Sequence, residues 1–179
     1  ICILGSGYIG RYLYNYLSNK LNKKTKVYIL SIRKLTDLNL GSYDYVIDSA
    51  DRSSGVHNSL INNKLQIIRE NKKNSYNYIY FSSTSIYNNN SNKIDETSQI
   101  NPNNEYQINK AKNEKFILEN KKKSFILRLS NIWSIQSPRG SFIGDQVYKI
   151  QNRIPIEIND SDFKSYIDLV HIKDLSNIV

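Results

Sequence analysis

The segment Gly5-Ser6-Gly7-Tyr8-Ile9-Gly10 constrains the fold more than any other part of the chain. It is a G-x-G-x-x-G pattern between an apolar run, Ile1 to Leu4, and a segment with helical spacing, Tyr8 to Lys20. In such a turn the first glycine makes the bend, the second lets the main chain approach a pyrophosphate, and the third lets helix pack on strand. The helix N-terminus offers N–H groups to the phosphates. We therefore predict that these six residues bind a dinucleotide cofactor.

The rest of the chain alternates strand-like and helix-like segments. This alternation predicts an α/β protein with a Rossmann doubly wound parallel sheet and helices on both faces. The predicted strands are Ile1–Leu4, Val27–Ser31, Tyr45–Ser49, Tyr78–Ser82, Phe125–Leu129 and Ile154–Ile158, and the predicted helices are Tyr8–Lys20, His57–Asn71, Glu105–Asn120, Gly140–Asn152 and Ile172–Val179.

The composition of the chain limits the kinds of partner and compartment that we expect for it. The 25 Lys+Arg against 16 Asp+Glu give a net charge of +9, but the cations are spread along the chain, so we expect no nucleic-acid partner. The apolar runs are too short to cross a membrane. One cysteine and two histidines predict no metal site and fit a cytoplasmic protein. The lack of methionine suggests a piece of a longer protein.

The residues after the second predicted strand indicate which cofactor is bound. An NAD site places a carboxylate there to bind the ribose hydroxyls. Here the segment from Tyr28 to Lys34 contains no carboxylate. Arg33 suits bidentate binding of a 2′-phosphate, with Ser31 and Lys34 beside it. We predict NADP(H) over NAD(H), and a measured preference for NAD(H) would contradict this.

Tyr106 and Lys110 form a Y-x-x-x-K pattern on a predicted helix. Their spacing places both side chains on one face. An ammonium beside a phenol favours the phenolate and lowers its pKa, which suits a general acid/base, and the lysine can also hold the nicotinamide ribose. Tyr16 and Lys20 repeat the pattern, but away from the strand ends where ligands bind. Tyr106 and Lys110 instead follow the fourth strand, which ends in a cluster of hydroxyls.

Taken in order, these segments resemble the extended short-chain dehydrogenase/reductase family, also called the NAD-dependent epimerase/dehydratase family. The resemblance covers almost the whole chain. The matching segments are the glycine turn, Asp44 to Ala50, Tyr80 to Tyr87, Asp95-Glu96 through Pro102 to Tyr106 with Lys110 and Glu114, Arg128 to Trp133, and more weakly Asp168 to Asp174.

The resemblance implies a nucleotide-activated sugar as substrate. Ser83 matches the catalytic Ser/Thr of the family, with Thr84 as a neighbouring alternative. Tyr106 matches its acid/base and Lys110 its cofactor-ribose lysine. Thr84 and Asn131 are the expected substrate contacts, with Asn131 at the diphosphate. We also expect Ala50, after the third strand, to contact the cofactor. The implied domains are an NAD(P)-binding Rossmann domain over residues 1–153 and the beginning of a substrate-binding portion over 154–179.

The resemblance leaves several reactions open. Family dehydratases carry an acidic residue after the catalytic Ser/Thr, whereas this chain has Thr84 and Ser85, and hydroxyls are poor proton shuttles. Epimerisation or ketone reduction is therefore favoured over dehydration. The alternative is a non-catalytic NADP(H)-binding sensor or scaffold protein. Because family members often pair through the helix that bears the tyrosine, a homodimer is a further expectation.

Overall fold

The computed structural model describes residues 1–32, 39–50, 66–68, 76–87, 94–157 and 167–179 of the chain. It has two compact units, Ile1–Arg128 and Leu129–Val179. The expected functional boundary after residue 153 stays a prediction, because compactness does not show which part of a chain binds substrate. Among the described residues, no helix is both long and apolar enough to span a bilayer.

The first unit is built on a five-stranded sheet with the order β2-β1-β3-β4-β5. Strand β1 pairs in parallel with both β2 and β3, and β3 pairs in parallel with β4. The chain order therefore reverses at β1, and this is the position where doubly wound sheets bind ligands. The predicted α/β Rossmann fold is confirmed. The strands are β1 Cys2–Leu4, β2 Tyr28–Leu30, β3 Tyr45–Asp48, β4 Asn77–Ser83 and β5 Ser124–Leu129.

The core of this unit lies against the sheet and is rich in tyrosine. Cys2 and Val46, from neighbouring strands, pack in one buried cluster with Tyr78 and Tyr80 of β4. Successive strand residues face opposite sides, so Ile3 faces away from this cluster. Burial raises the pKa of the Cys2 thiol to about 12, so Cys2 acts as a small core residue rather than a nucleophile.

Two long helices of the first unit agree with the predicted ones. Helix α1 is Tyr8–Lys20 and helix α2 is Glu105–Asn120. The third predicted helix, His57–Asn71, falls largely outside the described residues, of which 66–68 are helical. Between β4 and α2, Thr84–Tyr87 forms a turn of 3₁₀ helix.

Helix α2 buries a polar stripe, which hydrophobic periodicity does not predict. Its N-cap residue Asn104 accepts the N–H of Gln107 at 3.0 Å, and the Gln107 side chain accepts the N–H of Asn103 at 2.8 Å. These two hydrogen bonds, one at Asn104 and one at the preceding residue, fix the start of the helix. Buried polar residues then recur every three or four positions and so share one face. The buried residues of α2 are Gln107, Lys110, Asn113, Glu114 and Ile117.

The second unit contains two short parallel strands that were not predicted. Strand β6, Asn131–Trp133, pairs with β7, Leu169–His171. Helix α3, Phe142–Gln151, and helix α4, Ile172–Ile178, match their predicted positions closely. The predicted strand Ile154–Ile158 is wrong, since residues 154–157 form no strand.

Candidate active site

The bend after β1 requires a glycine at position 5. Gly5 has a φ of +105°, a conformation that L side chains rarely adopt. A Cβ here would also lie 2.9 Å from the Cα of Ala50 and from the main chain of Ser49. Ala50 therefore packs against the turn from the end of the neighbouring strand β3. This contact brings the two segments of the predicted cofactor site together.

The other two glycines of the motif have different surroundings. A Cβ on Gly10 would lie 1.8 Å from the Gly5 carbonyl oxygen, so glycine is needed for α1 to pack this close to β1. A Cβ on Gly7 would meet no described protein atom within 4 Å, and the φ of Gly7 is −75°, which any residue adopts. Packing and backbone strain thus give no reason for glycine at position 7. The predicted approach of a pyrophosphate to the helix N-terminus would favour glycine at this position.

Two side chains that the sequence analysis did not single out brace this turn. The Ser49 hydroxyl donates to the Leu4 carbonyl at 3.0 Å, and Arg11 Nε donates to the Ser6 carbonyl at 2.8 Å. Arg11 is exposed and adds a positive charge beside the helix N-terminus, which favours an anion there. The only sequence signal for either residue is its nearness to the motif or to a strand end.

The residues predicted to select NADP(H) follow strand β2. Ser31 comes directly after Leu30, whose carbonyl accepts the N–H of Gly5 at 2.8 Å, so Ser31 follows a strand end that is bonded to the glycine turn. Arg33 and Lys34 lie outside the described residues. The contact to a 2′-phosphate stays a prediction.

Hydroxyl groups gather where strand β4 ends. Ser83 is its last residue, and Thr84 and Ser85 begin the 3₁₀ turn. The Ser83 oxygen accepts the N–H of Ser85 at 3.2 Å and lies 2.9 Å from the Ser85 hydroxyl oxygen. A hydroxyl has one donor and two acceptor positions. When Ser85 donates in both contacts, the Ser83 proton is left for a substrate oxygen.

Lys110 is buried and fixed to the same end of β4. Its Nζ donates to the Phe81 carbonyl at 2.6 Å, and the residue is 5% exposed. Phe81 precedes Ser83 by two residues, so one hydrogen bond ties the lysine to the strand that carries the serine. The Tyr106 ring centroid is 5.8 Å from the same nitrogen. The structure thus brings Lys110, Tyr106 and the end of β4 together.

The second Y-x-x-x-K pair has different surroundings. Lys20 Nζ is exposed and donates to the Tyr16 hydroxyl of its own helix at 2.7 Å. Lys110 instead reaches across to a strand. Burial and the strand contact distinguish the two pairs, although the sequence pattern does not.

A partly buried ion pair holds helix α2 to strand β5. Arg128 Nη2 lies 2.8 Å from a Glu114 carboxylate oxygen, and Nη1 donates to the Tyr87 hydroxyl at 2.6 Å. Hydrogen bonds from Arg128 to Glu114 raise the pKa of Arg128 above its usual range, although burial opposes this. Glu114 lies one helical turn beyond Lys110, so the pair anchors the helix that carries the candidate site.

Asn131 belongs to the second unit. It begins β6, and its side-chain nitrogen donates to the Asp168 carbonyl at 3.4 Å. Its expected contact with a substrate diphosphate stays a prediction.

Comparison with known sequences agrees with this geometry. The sequence profile described as the NAD dependent epimerase/dehydratase family matches residues 1–179. The chain belongs to this family. No curated protein matches the chain by sequence.

Solved structures of several enzymes share the fold of this chain at low sequence identity. UDP-glucuronic acid 4-epimerase from Bacillus cereus, crystallised with UDP-4-deoxy-4-fluoro-glucuronic acid and NAD, is 17% identical with a TM-score of 0.80, over 98% of this chain and 71% of that one. The dTDP-glucose 4,6-dehydratase from Bacillus anthracis, in complex with NAD, is 14% identical with a TM-score of 0.74, over 99% of this chain and 69% of that one. A dTDP-4-dehydrorhamnose reductase from Clostridium acetobutylicum is 15% identical with a TM-score of 0.67, over 85% of this chain and 60% of that one. The chain therefore spans less than two thirds of the reductase.

Proposed function

We propose that the protein is an NAD(P)-dependent oxidoreductase or epimerase that acts on a nucleotide-activated sugar. The observation that carries this proposal is the buried Lys110, whose ammonium is bound to strand β4 two residues before Ser83. Burying an ammonium costs desolvation energy, which the hydrogen bond to the Phe81 carbonyl helps to offset. The position of Lys110 one helical turn from Tyr106 suits an acid/base phenol better than it suits a structural role.

Each residue then has a part in the chemistry. The nicotinamide, when bound, supplies hydride transfer at the sugar carbon. Tyr106 accepts the proton of the sugar hydroxyl during oxidation and returns it during reduction. The positive charge of Lys110 favours the phenolate of Tyr106, and an ammonium N–H suits the ribose hydroxyls as acceptors. Ser83 donates a hydrogen bond to the reacting oxygen.

The hydroxyl cluster favours epimerisation or reduction over dehydration. Elimination of water needs an acid and a base beside the sugar carbon that is deprotonated. Thr84 and Ser85 occupy the two positions after Ser83, and neither carries a carboxylate. Thr84 is instead proposed as a substrate contact, with Asn131 at the diphosphate.

For the cofactor we propose NADP(H) over NAD(H), with Ser31, Arg33 and Lys34 at the 2′-phosphate. The support is that the segment from Tyr28 to Lys34 contains two cations and no carboxylate. Parallel titrations with NADPH and NADH, followed by quenching of protein fluorescence, test this. Equal or tighter NADH binding would overturn it. A cytoplasmic homodimer, and a Rossmann domain over residues 1–153, complete the proposal.

The experiment that tests the activity uses two matched pairs of variants. UDP-glucose, UDP-glucuronic acid and dTDP-glucose are supplied with each cofactor, and hydride transfer is followed by nicotinamide absorbance. We expect Tyr106→Phe to lower kcat by about 100-fold or more, as loss of a general acid/base does. Lys110→Ala should weaken both cofactor binding and turnover.

Tyr16→Phe and Lys20→Ala are the controls, because they change the same residue types at the same spacing on helix α1. They should leave turnover unchanged. Turnover that survives Tyr106→Phe and Lys110→Ala would overturn the catalytic proposal. Tight cofactor binding without hydride transfer to any of these sugars would instead support the non-catalytic alternative.

A further inference from the structure

The ammonium of Lys110 also lies against the aromatic ring of Tyr80, which has no part in the proposed mechanism. Its Nζ is 4.9 Å from the ring centroid of Tyr80, within the range of a cation–π contact. Tyr80 belongs to β4 and is 0% exposed. The same nitrogen donates to the carbonyl of Phe81, the next residue along. Two adjacent residues of one strand therefore hold the lysine, one through its main chain and one through its ring.

The Tyr80 ring is itself held in place from the helix. Its hydroxyl accepts the side-chain N–H of Asn113 at 3.3 Å, and Asn113 is also buried. Asn113 follows Lys110 by three residues, so both lie on the same face of α2. The lysine, the ring and the amide thus form one buried cluster between helix and strand.

We propose that Tyr80 is a positioning residue for Lys110. The inference rests on the proposed function. An aromatic face stabilises a positive charge without neutralising it, whereas a carboxylate in the same place would cancel the charge that Tyr106 and the ribose need. The ring replaces part of the water that Lys110 loses on burial. A ring face also accepts the charge without using a hydrogen-bond acceptor atom.

A second contact between a lysine and a buried tyrosine ring lies far from the candidate site and serves as a control. Lys121, at the end of α2, lies over the ring of Tyr76 with its Nζ 4.4 Å from the centroid. Tyr76 directly precedes β4 and is as buried as Tyr80. The seven residues of β4 separate it from Ser83 by roughly 20 Å. Weakening this second contact perturbs a similar interaction without touching the site.

Fluorinated phenylalanines test the role of the ring, because fluorine reduces the negative charge on the ring face while changing its size little. Phenylalanine, 4-fluoro-, 3,4,5-trifluoro- and pentafluorophenylalanine are placed at position 80 of the full chain by nonsense suppression. NADH and NADPH affinity and kcat are measured for each, with melting temperature as a check on folding. The same four residues are placed at position 76 as the control.

We expect cofactor affinity and kcat to fall steadily with fluorination at position 80, by about tenfold from phenylalanine to pentafluorophenylalanine. The series at position 76 should change only the melting temperature. A flat series at position 80, in a protein whose cofactor affinity falls in Lys110→Ala, would overturn the positioning role and leave the proposed function standing. Equal losses in both series would show a structural role and also overturn it. A protein that binds neither cofactor overturns both proposals.

Discussion

Replacing Gly7 and Gly10 separately by alanine should separate cofactor binding from stability. An added methyl on Gly7 meets no described protein atom within 4 Å, and the backbone conformation suits alanine. Alanine restricts the unfolded chain, which stabilises by about 0.4–1 kcal/mol. It is a poorer N-cap than glycine, which costs about 0.5–1 kcal/mol. The two effects nearly cancel, so the free energy of unfolding of Gly7→Ala should stay within about 0.5 kcal/mol of the parent.

Cofactor affinity should behave differently in Gly7→Ala. The methyl group would occupy the space in which a pyrophosphate meets the helix N-terminus. Loss of one charge-assisted hydrogen bond costs about 1.5–3 kcal/mol, which corresponds to at least about a tenfold loss of affinity. Fluorescence titration with NADPH and NADH measures this, and urea unfolding measures stability on the same samples.

Gly10→Ala provides the contrast. Its methyl group would lie 1.8 Å from the Gly5 carbonyl oxygen, so helix α1 must move back by about 1.5 Å to restore ordinary contact. Such overpacking costs about 1–3 kcal/mol, and binding should fall together with stability. If Gly7→Ala bound both cofactors like the parent protein, the second glycine would have no part in phosphate binding and the account of this turn would be wrong.

Three further predictions concern stability. Burial lowers the pKa of Lys121 from 10.5 to about 8, so between these two pH values the unfolded chain binds more protons than the folded one, and the free energy of unfolding should rise with pH by no more than about 3 kcal/mol. Lys121→Met should lack this rise. Urea unfolding of both proteins at several pH values measures it, and the same pH dependence in both would contradict the reasoning. The Tyr76 hydroxyl is buried without a hydrogen-bond partner among the described residues, so Tyr76→Phe should raise the free energy of unfolding by about 1 kcal/mol. A lower melting temperature for the variant would count against this prediction. Glu114→Gln removes the charge that Arg128 faces and should lower the free energy of unfolding by about 2 kcal/mol. The loss is smaller than for a fully buried pair because the Arg128 side chain is 23% exposed. An unchanged midpoint of urea unfolding would refute this prediction.

The sequence predicted the parts of the fold that depend on local pattern. The glycine turn lies at the end of β1, and α1 and α2 have their predicted bounds. These elements depend on glycine geometry, on apolar spacing and on capping residues such as Asn104, all of which act over a few neighbouring positions.

Features that depend on contacts between distant residues were not predicted. The pairing of β6 with β7 joins Asn131 to Leu169, and nothing near either residue indicates the partner. The predicted strand at Ile154–Ile158 was wrong for a local reason. Arg153 has a φ of +56° and Pro155 has no N–H to donate, so this apolar run cannot join a sheet regularly.

The candidate site was predicted in part. Tyr106, Lys110 and Ser83 were singled out, whereas Tyr80 and Asn113 were not, because a buried tyrosine or asparagine in a core position has the same sequence pattern as ordinary packing. Polar residues recurring at the core spacing of α2 were the available signal. Such a stripe is stable only when its members pair with each other or with a strand.

The atom of β4 that receives the Lys110 ammonium belongs to the peptide backbone, and this sets what substitution can change. Every amino acid has that oxygen, so no replacement of the phenyl group at position 81 can delete it. A variant can therefore carry an aliphatic side chain instead of the aromatic one at position 81 and keep the same acceptor for the Lys110 ammonium. Only a shift of the strand itself would release it.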